Sequence, residues 1–189
     1  MITQRVASYS SGRLGWLREI AVTLVAAYVL GISANFRVTV PFSPVPVTAQ
    51  TLVVLLIGAG LSRRQALASV SAYLIAGAAG LPLFAAGTLW GPTGGYLLGF
   101  LGAVWVIASL MESGWVRHPA GSLLALTIGN LAIYVVGLPW LALFVGVSSA
   151  LPMGLYPFLL GDTLKLLCVA TIVSVRAWRD CQDTPTTTC

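Results

Sequence analysis

Two charged residues, Asp162 and Lys165, stand inside a long apolar stretch that covers residues 155–178. Lys165 is the only lysine of the chain, and the other acids lie near segment ends, in a connection or in the tail. Side chains three apart on a helix share a face. A charge at membrane depth is costly and usually marks a functional site. The pair therefore predicts a binding site, with a purely structural ion pair as the alternative.

The composition is that of a membrane protein. Of the 189 residues, 58% are hydrophobic and 8% are charged, whereas soluble domains carry about 25% charged residues. The net charge of +5 does not indicate nucleic-acid binding, because the arginines flank the apolar segments. The three cysteines form neither a disulfide framework nor a metal-ligand pattern. We expect no metal and no nucleic-acid partner.

The hydropathy pattern predicts an all-α integral membrane protein with six transmembrane helices. A spanning helix needs roughly 20 apolar residues. No signal-peptidase site of small residues follows the first apolar run, so this run is predicted to be a retained helix. The domain is predicted at 17–179, between a cytoplasmic segment at 1–16 and a disordered tail at 180–189. The spans are predicted at 17–34, 48–61, 65–79, 93–111, 120–146 and 155–179.

The arginines predict the orientation of this bundle. All except Arg37 fall in flanking regions on one side of the six spans, and the side richer in arginine is cytoplasmic. Both termini are therefore predicted to be cytoplasmic, in a multi-pass protein of the cytoplasmic membrane. Three connections rich in proline and glycine then share the outer face: 35–47, 80–92 and the short uncharged connection 147–155. Asp162 and Lys165 lie roughly 8–12 Å below that face.

Further polar and small residues stand at spacings that suggest contacts. Asn130 and Tyr134 lie four apart in the fifth span, where a ligand role and a contact with another helix are equally open. The glycine-rich residues 91–95 precede a helix, whose N-terminus attracts anions, although a flexible loop would give the same pattern. Ala27 and Gly31 form a small-xxx-small pair that allows another helix to approach.

Four motifs in chain order resemble the BioY family, the biotin-binding S-components of energy-coupling-factor (ECF) transporters. They are PFSPVPVTAQT at 41–51, GPTGGYLLGF at 91–100, NLAIY with GLPW at 130–140, and GDTLK at 161–165. The resemblance implies an ECF S-component-like bundle that captures biotin from outside as its transported substrate, with no cofactor. It also implies a transmembrane coupling protein and two ABC-type ATPases as partners, or self-association if the chain acts alone.

The resemblance further implies roles for individual residues. Asp162 is expected to accept a hydrogen bond from the ureido N–H of biotin, and Lys165 to donate to biotin. Ala27 and Gly31 correspond to the Ala-xxx-Ala surface through which the family contacts its coupling protein. Other expected substrate contacts are Gln50, Asn130 and Tyr134, with Thr93, Gly94, Gly95 and Tyr96 near the valerate. Three aromatic residues either close over the ligand or anchor at the interface: Phe42, Phe84 and Trp90.

Two other functions remain as alternatives. A solitary ion-coupled carrier would use Asp162 as a proton site. An intramembrane enzyme would need a nucleophile with a base at membrane depth, but no predicted span contains a histidine and Cys168 has no base beside it in the sequence. The chain is therefore predicted not to be an enzyme.

Overall fold

The computed structural model describes residues 13–85 and 88–182. These residues form an all-helical bundle with one short β-ribbon. The helices are α1 (Arg13–Ser33), α2 (Gln50–Gly60), α3 (Arg63–Ala78), α4 (Gly94–Glu112), α5 (Pro119–Val145), α6 (Val147–Gly154) and α7 (Tyr156–Gln182), with a 3₁₀ turn at Trp115–Arg117. The ribbon pairs β1 (Arg37–Val38) antiparallel with β2 (Val47–Thr48).

Six of the seven helices, α1 to α5 and α7, coincide with the six predicted spans, which confirms the predicted fold class. Four apolar stretches are long enough to cross a membrane by length and composition: Gly15–Ser33, Gly94–Glu112, Pro119–Val145 and Val147–Arg179. Helix α2 is apolar but has only 11 residues. At 1.5 Å per residue it is about 16 Å long, so it covers only part of a hydrocarbon core about 30 Å thick.

The outward-facing surface of the bundle is apolar, as a lipid environment requires. Large side chains stay exposed on several helices, for example Tyr28 on α1, Val135 and Leu143 on α5, and Leu160 on α7. Soluble monomers rarely expose apolar surface on this scale. The burial pattern therefore agrees with the composition: this is a multi-pass membrane protein.

The connection predicted at 147–155 is mostly helical, so that prediction is wrong. Gly146 ends α5 with φ +83°, a backbone conformation that glycine adopts without strain, and the two-turn helix α6 follows at once. Pro152 lies in the last turn of α6. Helix α5 itself continues through Pro139 to Val145 rather than breaking there.

The ends of the described chain differ slightly from the predicted domain bounds. Helix α1 begins at Arg13, within the predicted N-terminal segment, and α7 continues to Gln182, three residues into the predicted tail. Residues 1–12 and 183–189, which include the rest of both predicted segments, lie outside the described residues.

Three connections meet at one end of the bundle, as the arginine pattern predicts. The guanidinium of Arg37 donates to the carbonyl of Ala85, which joins the first connection to the second. The hydroxyl of Ser43 donates to the carbonyl of Met153 at 2.7 Å, which joins the first connection to α6. The membrane face on which this end lies stays a prediction from the arginines.

Helices α4 and α5 form the most extensive helix pair of the bundle. The buried side chains of α4 recur every three or four residues, at Tyr96, Phe100, Ala103 and Ile107, which is the helical period that places them on one face. This face and α5 form the rear wall of the space beneath the three connections, and α7 closes it from the side.

Candidate functional site

A cavity of about 510 Å³, measured to its open mouth, lies beneath the proline-rich connection. It is bounded by the connection, by the first turns of α2 and α4, by the middle of α5 and by α7. Its lining residues are Val45, Pro46, Thr48, Gln50, Thr51, Ala85, Thr93, Tyr96, Leu97, Phe100, Ile133, Tyr134, Phe158 and Asp162.

Asp162 is the polar centre of this cavity. It is 3% exposed. One carboxylate oxygen, Oδ1, accepts from Lys165 Nζ at 3.1 Å and from the hydroxyl of Thr51 at 3.4 Å. The other, Oδ2, accepts from the phenol of Tyr134 at 2.5 Å and from the amide of Asn130 at 3.2 Å. A carboxylate offers about four acceptor positions, so the protein itself fills them.

Lys165 contacts protein atoms rather than the cavity. Its ammonium donates to the carbonyl of Thr48 at 2.8 Å, to the hydroxyl of Thr51 at 2.6 Å and to Asp162 at 3.1 Å. An ammonium has three donors, and all three are used here. The direct bond from Lys165 to biotin stays a prediction; in this arrangement Thr51 of α2 and Thr48, the last residue of β2, supply acceptors for the ammonium. Lys165 neutralises Asp162 and ties α7 to the ribbon.

Thr51 belongs to this network although the sequence did not single it out. Its hydroxyl accepts from Lys165 and donates to Asp162, so it bridges the two charges. The available signal was its place at the end of the motif at 41–51, one residue after Gln50 and close to Thr48. Spacing alone could not reveal the bridge, because 111 residues separate Thr51 from Asp162.

Aromatic rings form the wall opposite the proline-rich connection. Tyr96 meets Tyr134 edge-to-face with ring centroids 6.2 Å apart, and stacks on Phe158 at 6.2 Å. The hydroxyl of Tyr96 donates to the carbonyl of Gly154 at 2.9 Å, which fixes the ring against α6. Such a wall accommodates an apolar ring or chain. Phe158 was not predicted from sequence, since nothing in the pattern of α7 separates it from lipid-facing residues.

Two polar side chains in the cavity have unused hydrogen-bonding capacity. Thr93 is 7% exposed, and its hydroxyl has no partner among the described residues although it precedes α4. Gln50 is 2% exposed and donates through Nε2 to the phenol of Tyr73 at 2.6 Å. Its amide oxygen accepts no bond from the described residues. Buried polar atoms without a partner are rare and call for an explanation.

Gly94 and Gly95 do not line the cavity. A Cβ atom at Gly94 would overlap the carbonyl of Leu89, and one at Gly95 would overlap the Cβ of Trp140. Trp140 also donates its indole N–H to the carbonyl of Gly91 at 3.0 Å. These glycines therefore serve the close approach of α5 to the start of α4, and a contact of their backbone with a ligand stays a prediction.

The three outer aromatic residues do not cover the cavity either. Phe42 is 63% exposed and Trp90 is 76% exposed, and neither lines the cavity. Phe84 is buried in the core, where it meets Tyr73 edge-on at 5.4 Å. The cover is instead formed by Val45 and Pro46 of the proline-rich connection.

The predicted partner surface on α1 is buried within the chain. Ala27 is 8% exposed, and a Cβ atom on Gly31 would lie 2.7 Å from a methyl carbon of Leu83. The small residues of α1 thus allow α1 to pack on its own bundle, with α3 as its main neighbour. The contact of Ala27 and Gly31 with a partner stays a prediction, and in this conformation both residues are covered by the chain itself.

Comparison with known proteins identifies the family. A family model described as the BioY family matches residues 3–183. The chain belongs to the BioY family. The part of the chain that the structure describes contains no cluster of histidine, cysteine and acidic residues that could hold a metal ion.

Several BioY-family proteins match most of the chain. A probable biotin transporter BioY of Pyrococcus horikoshii is 36% identical over 160 residues, which cover 82% of this chain and 94% of that protein. Biotin transporter BioY2 of Lactococcus lactis is 35% identical, covering 79% and 85%. Biotin transporter BioY of Thermotoga maritima is 35% identical, covering 74% and 84%.

A solved structure has the same fold. It is the crystal structure described as the S-component for biotin from an ECF-type ABC transporter, and it matches with a TM-score of 0.77 and 21% identity over 87% of this chain and 93% of that one. The chain therefore has the ECF S-component fold, as the sequence motifs implied.

Proposed function

We propose that this protein captures biotin for uptake across the cell membrane, as the substrate-binding component of an ECF-type transporter. Membership of the BioY family makes it a transport protein and not an enzyme. The observation that carries the proposal is the buried carboxylate of Asp162 in a cavity with an aromatic wall, an arrangement that suits a ligand with both N–H donors and an apolar ring.

The cavity supplies complementary chemistry for each part of biotin. The ureido ring offers two N–H donors and a carbonyl, which suit Asp162 with its neighbours. The apolar sulfur ring suits the wall of Tyr96, Tyr134 and Phe158. The valerate carboxylate suits the start of α4, where Thr93 has a free hydroxyl and the helix N-terminus attracts negative charge. Charge-assisted bonds in a dry cavity are strong and directional.

In the bound state we propose that a ureido N–H replaces one of the present donors to Asp162. The contact from Thr51, at 3.4 Å, is the longest of the four, so it is the one that is lost at least cost. Asn130 and Tyr134 then keep the second oxygen fixed, and Lys165 keeps its contact with the first oxygen. The binding role of Lys165 is thus exerted through Asp162.

The proposed partners follow from the same family relationship. We propose a transmembrane coupling protein and two ABC-type ATPases as the energising module, because the sequence contains no Walker-type phosphate loop of its own. Since Ala27 and Gly31 are covered, the contact with the coupling protein uses either another face of α1 or a conformation in which α1 separates from Leu83.

Isothermal titration of the detergent-purified chain with biotin, desthiobiotin and unrelated vitamins tests the proposal. Biotin should bind tightly in the absence of nucleotide, while unrelated vitamins release no heat. No binding of biotin, or equal binding of an unrelated vitamin, would refute the assignment.

Uptake of labelled biotin separates the two transport modes. Cells that express the chain with a coupling protein and ATPases should accumulate biotin after the proton gradient has been dissipated. Uptake that needs no ATPase and collapses with the proton gradient would instead identify a solitary proton-coupled carrier.

A further inference from the structure

We propose that Tyr73 is a positioning residue that holds the amide oxygen of Gln50 toward the cavity, where this oxygen accepts a hydrogen bond from an N–H of the ligand. The identity of that ligand as biotin rests on the proposed function, but the orientation of Gln50 does not. Tyr73 lies on α3, outside the cavity lining and outside every motif that suggested a ligand contact.

The orientation follows from a relay of three groups. The phenol of Tyr73 lies 3.4 Å from the carbonyl of Leu83, and 2.6 Å from Nε2 of Gln50. A backbone carbonyl can only accept, so the phenol proton points at Leu83. The phenol oxygen must then accept from Gln50, which requires the NH₂ side of the amide at that position. The carbonyl side of the amide is consequently turned away from Tyr73.

The relay leaves the Gln50 oxygen as an available acceptor in the cavity, beside the unpartnered hydroxyl of Thr93. Both oxygens of Asp162 already accept two bonds each, and the phenol of Tyr96 is engaged with Gly154. Gln50 lines the cavity while being 2% exposed. Because this oxygen accepts no bond from the described residues, it is open to an N–H of a ligand in the cavity.

Tyr73 is itself held firmly enough to impose this direction. It is fully buried, and Phe84 packs edge-on against its ring at 5.4 Å with an interplanar angle of 73°. Phe84 in turn lies against Gly77, where a Cβ atom would overlap its ring. The ring of Tyr73 therefore has no room to swing, and its single polar atom stays beside Gln50.

This arrangement makes Gln50 selective for ligands that present an N–H donor. With the amide fixed, a ligand N–H at this position is accepted and a ligand carbonyl is repelled by the amide oxygen. Without the phenol of Tyr73, the amide can rotate by half a turn and pair with either group, so the site becomes less selective. A site that must leave a buried polar group unpaired rejects the wrong ligand strongly.

A double-mutant cycle with biotin tests the coupling. Tyr73→Phe keeps the ring and its packing on Phe84, and should weaken biotin binding by about 10-fold in titration calorimetry. In a Gln50→Met background the same change should have no further effect, since the positioned group is gone. Effects of the two substitutions that multiply independently would overturn the proposal. Tyr28→Phe, on the exposed face of α1, is the matched control and should leave affinity unchanged.

A second measurement needs no ligand and separates this inference from the proposed function. The chain has glutamines at positions 4, 50, 65 and 182, so the side-chain amide signal of Gln50 in ¹⁵N-glutamine-labelled protein is assigned by its loss in Gln50→Met. Tyr73→Phe should shift that signal, and Tyr28→Phe should not. An unshifted signal would overturn the orientation. If the signal shifts but the wild-type chain binds no biotin, the proposed function fails and the orientation stands.

Discussion

The phenol of Tyr134 donates to the carboxylate of Asp162 at 2.5 Å. This bond joins α5 to α7 across 28 residues of sequence and is the shortest of the four that reach Asp162. Because it also fixes the ring that faces Tyr96 edge-on, the same contact orients the polar centre and the aromatic wall of the cavity.

Tyr134→Phe should therefore weaken biotin binding by roughly 10-fold while the protein stays folded. The change removes a charge-assisted donor, worth about 1.5–3 kcal/mol, and keeps the ring. Titration calorimetry measures the loss. Tyr156→Phe, at an exposed tyrosine at the start of α7, is the control. Equal affinity of wild type and Tyr134→Phe would mean that this bond does not orient the ligand site.

Removing one charge of the ion pair should destabilise the protein by a different amount for each of its two partners. Lys165→Met leaves Asp162, which is the more buried group, without its cation, and should cost about 3–5 kcal/mol. Asp162→Asn should cost less, because Lys165 keeps the carbonyl of Thr48 and the hydroxyl of Thr51.

The double variant Asp162→Asn, Lys165→Met removes both charges and should regain most of the lost stability. Thermal unfolding in detergent, followed by circular dichroism, gives the three values. Additive losses in the double variant would show that the two charges do not compensate each other in the folded protein.

The importance of Asp162 could be predicted from sequence because a charge in an apolar run is conspicuous whatever the fold. Asn130 and Tyr134 could be proposed because their spacing of four places them on one face of a helix. The contacts of Lys165 with Thr48 and Thr51 could not be predicted, since these residues lie more than 100 positions away and reach Lys165 only through the packing of α2 against α7.

Gly95→Ala should destabilise the bundle by about 1–3 kcal/mol, because the new methyl group would overlap Trp140 and overpack the contact between α4 and α5. Gly102→Ala is a matched control on the same helix, where a Cβ atom would meet only Ala132 at 3.9 Å. In thermal unfolding, Gly95→Ala should be clearly less stable than Gly102→Ala. Equal stability of both variants would contradict the packing role assigned to Gly95.

Thr93→Val should separate stability from binding. The hydroxyl of Thr93 is buried without a partner in the described chain, so its replacement by a methyl group should raise the stability of the ligand-free protein, by up to about 1–3 kcal/mol. The same change should weaken biotin binding, since it removes the polar group proposed to meet the valerate. Ligand-free unfolding and titration calorimetry give the two values, and an unchanged affinity would remove Thr93 from the site.

The glycine-rich approach to α4 shows why part of the site could not be predicted. A run such as GPTGG suits an anion at a helix start and suits close helix packing equally well. The position of Trp140 against Gly95 shows that close packing is one use of these glycines, and the valerate contact proposed at Thr93 does not depend on them. The same ambiguity affected Ala27 and Gly31, whose small side chains fit a contact with a partner and a contact within the chain equally well. The helix α6 was missed because its two turns contain Pro152 and carry no charge to mark an end.

The central claim is that biotin binds in the cavity built around Asp162. Titration of biotin into the double variant Asp162→Asn, Lys165→Met, beside the wild-type chain, tests it most directly, because the double variant is expected to fold and differs only at the polar centre. We predict tight binding to the wild type and none to the folded double variant. Wild-type affinity in the folded double variant would contradict the claim.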